Sequence, residues 1–127
     1  MTRRWIVDAM NVIGSRPDGW WKNRHDAMVR LVDSLERWAA ADEQHVTVVF
    51  ERPPSPPITS RIIEIAHAPR AAANSADDEI VRLVQADQDP RHLNVVTSDS
   101  ALAERVHTAG ASTQPASSFR DLIDPVD

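Results

Sequence analysis

Apolar positions along the chain alternate between runs that suit a strand and spacings that suit a helix. RWIV (4–7) is a short apolar run that breaks at Asp8, which predicts a buried strand. A loop follows, with Gly14, Pro17, Asp18 and Gly19 as turn residues. From about Asn23 to Ala41, Ala27, Met28, Leu31, Leu35 and Trp38 recur at intervals of three and four, the period of an amphipathic helix. HVTVVF (45–50) is β-branched and predicts a second strand. ERPPSPP then reads as a stiff loop, because proline cannot donate to a ladder or sit inside a helix. RIIEIAHA (61–68) predicts a third strand, Ser75 to about Ala86 a helix, and 93–97 a fourth strand. A helix from Ala101 to about Ala109 stops at Gly110, and ASTQP and SSFRDLID close the chain as a short strand and a short helix. Trp5 and Trp38 fall on core positions.

Strands that alternate with helices imply an α/β fold: three layers, α/β/α, around a central, mainly parallel sheet of four to five strands. No repeat or linker interrupts it, so residues 1–127 are expected to form one domain. In such a sheet, ligands bind beyond the carboxyl ends of the strands. That edge should collect Asp8 and Asn11 after the first strand, Glu51 after the second, Ser98 and Asp99 after the fourth, and Asp77 and Asp78 from the opening turn of the helix at Ser75.

Composition narrows the chemistry. There is no cysteine, which removes disulfides, thiolate zinc sites and thiol nucleophiles. No apolar run is long enough to span a membrane and the N-terminal apolar piece is too short for a signal peptide, so a cytoplasmic location is expected. The net charge of −5 argues against coating nucleic acid by bulk electrostatics. It is unevenly spread: residues 1–74 carry ten Arg/Lys against nine Asp/Glu, and residues 75–127 four against ten. Three glycines leave no dinucleotide or phosphate-binding loop, no G-x-S-x-G elbow supports a serine nucleophile, and Met10 stands where a phosphoaspartate mechanism places its second aspartate.

The acidic residues admit two accounts. Taken singly they are caps: Ser75-x-x-Asp78 resembles a capping box, Asp77, Asp78 and Glu79 suit the positive end of a helix, and Asp99 can cap the next helix. Taken together at one edge they would repel, and some would acquire raised pKa values unless a divalent ion relieved them. All-oxygen ligands suit Mg²⁺ or Mn²⁺, one ion or two, and the scattered histidines make zinc a poor choice.

IVDAMNVIG, SADDEIVRLV and VVTSDS, in this order, resemble the YacP-like group of NYN domains, within the PIN-like nuclease superfamily. The resemblance covers roughly residues 4 to 123 and implies a PIN-like fold and metal-dependent ribonuclease activity. It implies catalytic roles for Asp8, Asn11, Asp77, Asp78 and Asp99; Asp8, Asp78 and Asp99 are the first candidates for metal ligands, direct or through water, with Asp77 completing the cluster and the choice within the Asp77–Asp78 pair open. The YacP-like group is similar to ribosome-associated endoribonucleases, which implies mRNA on the ribosome as a target. Ala9 stands where many relatives have glycine, and Glu51 where many have aspartate, so the role of Glu51 stays open.

The expected activity is hydrolysis of phosphodiester bonds in single-stranded RNA. The loop RPDGWWKNRHD (16–26) interleaves cations with tryptophans, as a single-strand grip does, although paired tryptophans also serve to cover a helix start. Candidate RNA contacts are Arg16, Trp20, Lys22 and Arg24 from this loop, Arg52 and Arg61 around the proline segment, and Ser98. His67 and Arg70, just upstream of the acidic turn, could steady a phosphate or simply face solvent. Two alternatives use the same residues: a non-catalytic RNA- or ribosome-binding module, and a toxin-type nuclease with a protein antitoxin.

Overall fold

The computed structural model describes residues 4–69 and 75–124. Five parallel strands form one sheet: β1 (Arg4–Asp8), β2 (His45–Phe50), β3 (Glu64–His67), β4 (Leu93–Val96) and β5 (Ser112–Gln114), in the order β3-β2-β1-β4-β5. The helices are α1 (Ala9–Ile13), α2 (Arg24–Asp42), α3 (Ser75–Ala86), α4 (Ser100–Thr108) and α5 (Ala116–Ile123). The expected α/β architecture with its parallel sheet is what the chain forms.

Side chains of a strand alternate between its two faces, and β1 shows both. Trp5 and Val7 pack on one face with Val46, Val48 and Phe50 of β2, against α2 and α5. Trp5, Trp38 and Phe119 meet there with ring centroids 5.2 to 5.4 Å apart. Ile6 packs on the other face with Val49 and Val95, against Ile80 and Val84 of α3 and Leu102 and Val106 of α4. This two-sided burial makes the strands read as unbroken apolar runs.

Local chemistry sets most of the helix ends. The Asn23 side chain accepts the Asp26 N–H and caps α2. Gly110 follows α4 with φ of 102°, a conformation that β-carbons disfavour. Three expectations need correction. Residues 9–13, expected as loop, form the short helix α1, whose apolar Val12 and Ile13 have core to bury against. The third strand is four residues rather than eight, because the Ser60 hydroxyl accepts the Ile62 and Ile63 N–H groups and holds the preceding segment in a turn. The fourth strand ends at Val96. Among the described residues no helix is long and apolar enough to cross a membrane.

Candidate active site

Because every strand runs the same way, all five carboxyl ends lie on one edge. The period of two then selects what faces α3 and α4 there. Asp8 stands two residues after Ile6, Glu51 two after Val49 and Thr97 two after Val95, and those three apolar residues all belong to the α3–α4 side. Asp8, Asn11, Glu51, Asp77 and Asp99 line one open cleft of about 260 Å³, with Met10 and Ala76 as its apolar members.

Asp8 lies at the bottom, only 6% exposed. Its Oδ2 accepts the Thr97 hydroxyl at 3.1 Å. Burial pushes its pKa up to about 7, and the charges of Asp77 and Asp99 push the same way, against the Thr97 hydroxyl and the Asn11 backbone. Thr97 Oγ1 also accepts the Asp99 N–H at 3.1 Å, so one buried hydroxyl ties two acids. Asp99 caps α4 as expected, its Oδ1 accepting from Ala101 N at 2.9 Å and Leu102 N at 3.1 Å. Capping and lining the cleft are therefore compatible roles for this carboxylate.

Asn11 is brought over by α1. Its Oδ1 accepts the Ser98 N–H at 2.8 Å and fixes the loop after β4. Ser98 turns its hydroxyl to the α5 start, accepting from Ala116 N at 2.9 Å. The N-terminus of α5 needs such an acceptor, and the exposed Ser98 hydroxyl keeps its own O–H to donate.

The adjacent pair divides. Asp77 is half-buried in the cleft, its pKa raised by burial first and then by Asp99, with Arg105 opposing. Asp78 does not line the cleft; its side chain is 70% exposed and meets Arg105 at 3.1 Å. Helical period is the reason: Asp77 stands in line with the buried Ile80, Val81 and Val84, and Asp78, turned about 100° away, stands in line with the exposed Arg82 and Gln85. By sequence Asp78 is the first ligand candidate of the pair and Asp77 the residue completing the cluster; of the two, it is Asp77 whose side chain lines the cleft. Glu79 is buried and bonded to Arg82 at 2.8 and 2.6 Å, which holds its pKa below the usual range. The side chain of Ser75 lies outside the described residues, as does Arg70.

The RNA candidates scatter. Arg16 is spent on α5, pairing with Asp121 at 2.5 Å and with Asp124. Trp20 packs against the core, edge-on to Trp21 at 5.9 Å, and it is Trp21 that stays 52% exposed. Arg24 lies over the Trp20 ring, 5.3 Å from its centroid. Arg52 is exposed on the proline loop and lines a groove beside the cleft. Lys22 and Arg61 are exposed and line neither the cleft nor that groove. His67 Nδ1 lies 2.9 Å from the Ala68 carbonyl.

The sequence from residue 5 to 127 matches the YacP-like NYN domain. The chain belongs to this family. NYN domains of this kind are a nuclease-type, RNA-associated family. The fold is similar to that of Rae1 (YacP) from Bacillus subtilis, whose crystal structure superposes with a TM-score of 0.77 at 23% identity, over 94% of this chain and 72% of that one. A single-site mutant of the same protein gives 0.77 at 21% identity, over 94% and 73%. No curated protein matches the sequence. Within the YacP-like fold, Thr97 is the residue that sequence reading passed over. Its signal was available: a hydroxyl residue of core-facing parity at the end of a strand, just before an acidic cap.

Apart from the Met10 thioether the cleft offers oxygen donors to an ion, and its crowded carboxylates are of the kind a divalent cation would relieve. Among the described residues, however, no three His, Asp or Glu side chains are already grouped as a metal cage. The set therefore suits a hard cation that keeps most of its waters and takes few direct protein ligands.

Proposed function

We propose that this protein is a metal-dependent endoribonuclease that hydrolyses phosphodiester bonds of single-stranded RNA, with mRNA on the ribosome as its target class. The observation that carries the reading is the convergence of Asp8, Asp77 and Asp99, from three distant segments, on one cleft beyond the strand ends. Mg²⁺ or Mn²⁺ held by Asp8, Asp77 and Asp99, largely through water, would neutralise phosphate charge and lower the pKa of a bound water.

The chain's own residues have separable tasks. Thr97 orients the buried Asp8 carboxylate and steadies the turn that presents Asp99. Asn11 fixes the β4–α4 loop through its carbonyl oxygen, which leaves its amide NH₂ to donate to a phosphate oxygen or water. Arg105 offsets part of the negative potential around Asp77.

A second reading, a non-catalytic RNA- or ribosome-binding module, draws on the absence of a ready-made cage among the described residues. The test is cleavage of a 5′-labelled single-stranded RNA with Mn²⁺ or Mg²⁺. The nuclease reading expects cleavage that stops with EDTA and with Asp99→Asn, whose asparagine still caps α4 and preserves the fold. Binding that survives both, without cleavage by the wild type, would favour the module.

A further inference from the structure

We infer that the groove beside the acidic cleft is a nucleobase subsite, which takes the base on one side of the scissile phosphate. The inference rests on the nuclease reading for its register, since it assumes that a phosphate lies over the cleft. The groove has a volume of about 390 Å³ and shares Met10 and Glu51 with the cleft. A strand whose phosphate sits over the cleft therefore has its neighbouring base within reach of the groove.

The lining suits a base. Met10 and Met28 supply polarisable thioether surface over the buried Phe50, and Pro53 and Pro54 add a stiff apolar wall. Flat π-systems stack well on such surfaces, and stacking tolerates any base. Arg24 and Arg52 also line the groove, and neither makes an ion pair among the described residues, whereas Arg16, Arg105 and Arg120 each hold a carboxylate. Two guanidinium groups beside an acidic cleft, Arg52 and the Arg24 that rests on the Trp20 ring, complement the phosphates that flank a base, or its carbonyl oxygens.

The wall is built before any ligand arrives. His25 Nε2–H donates to the Pro56 carbonyl at 2.8 Å and ties α2 to the proline loop. Ser60 Oγ donates to Glu36 at 2.7 Å and ties the far end of the same segment to the same helix. On the other flank of Asn11 lies a shelf lined by Met10, Gly14, Ser15, Ser98 and Ser117, with no cationic side chain and no proline wall. Recognition of a base is therefore expected on one side of the scissile phosphate only.

The test scans one abasic ribonucleotide across the cleavage site of a single-stranded RNA. The expected result is a loss in kcat/KM of roughly tenfold or more at a single position on one side. Arg52→Ala and Met28→Ala should lower the rate on intact RNA and lower it far less on the RNA abasic at that position. A uniform abasic profile, or variant losses that ignore the abasic site, would overturn the subsite. A separate arm needs no catalysis: a 2′-O-methyl oligonucleotide is added to the full chain in EDTA while backbone amide shifts are recorded. Shifts at residues 24–28, 50–52 and 55 that vanish with the abasic oligonucleotide uphold the subsite even if no RNA is ever cut, in which case the nuclease reading alone fails. Shifts confined to other surfaces, or indifferent to the missing base, sink the subsite and leave that reading intact.

Discussion

Thr97 donates its hydroxyl to the buried Asp8 carboxylate at 3.1 Å, across the seam between β1 and β4. The same oxygen accepts the Asp99 N–H, so two acids 91 positions apart in sequence share one small polar anchor. Burial makes the Asp8 carboxylate costly to ionise even though the Thr97 bond offsets part of that cost, and several outcomes follow.

Asp8 titrates at about 7 when folded, against an ordinary 3.8. The folded state therefore binds more protons than the unfolded state between these values, and stability falls as pH rises through them. The penalty is absent below pH about 4 and complete above about 7, and is on the order of 4 kcal/mol at most. Thermal melts of metal-free protein should show the wild type losing stability over this window relative to Asp8→Asn. Above pH 7 the variant should be the more stable. Parallel curves would mean that Asp8 is not a strained acid.

Thr97→Val removes the bond that most opposes the rise in the Asp8 pKa, and strands the Asp99 N–H. The expected cost is about 1–3 kcal/mol of stability, with the pH window of the melts displaced upward. Thr97→Ser, which keeps the hydroxyl, should recover both. Denaturant titration at several pH values reads the two effects separately.

The adjacent aspartates should differ sharply. Asp77→Asn is expected to depress RNA cleavage by about 10²-fold or more, the scale seen when a group that stabilises transition-state charge is lost. Asp78→Asn removes only an exposed pair with Arg105, so cleavage should stay within a few fold and stability within about 1 kcal/mol. Single-turnover rates of the two variants decide the matter, and equal losses would refute the division.

Arg16 and Arg52 offer a similar contrast. Arg16→Ala should loosen α5 and leave RNA affinity unchanged, because its guanidinium already serves Asp121 and Asp124. Arg52→Ala should weaken binding and reduce the slope of log affinity against log salt by roughly 1, with the melting temperature unmoved. Filter binding across a salt series distinguishes them.

A divalent ion should raise the melting temperature of the wild type more than that of Asp8→Asn or Asp77→Asn. At a hundred times its Kd the ion would add about 2.7 kcal/mol. Differential scanning fluorimetry with Mg²⁺, Mn²⁺ and EDTA supplies the measurement, and identical shifts in all three proteins would rule out these residues as its ligands.

Local pattern alone determined much of this protein. The β-branched runs, the three-and-four spacing from Ala27 to Trp38 and the stop at Gly110 fix strands and helices because each depends on neighbours within a few positions. The same logic sends Asp8, Glu51 and Asp99 to one edge, since parallel strands share a carboxyl end. Even the placement of Asp77 in the cleft was legible in the buried stripe of α3, since it stands three, four and seven positions before Ile80, Val81 and Val84. Tertiary structure alone decided the rest. Arg16 was paired with acids more than 100 positions downstream, the Ser98 hydroxyl with the start of α5, and Trp20 packed on the core beneath it. Those choices depend on which distant group comes within hydrogen-bonding or packing distance, and periodicity carries no record of that.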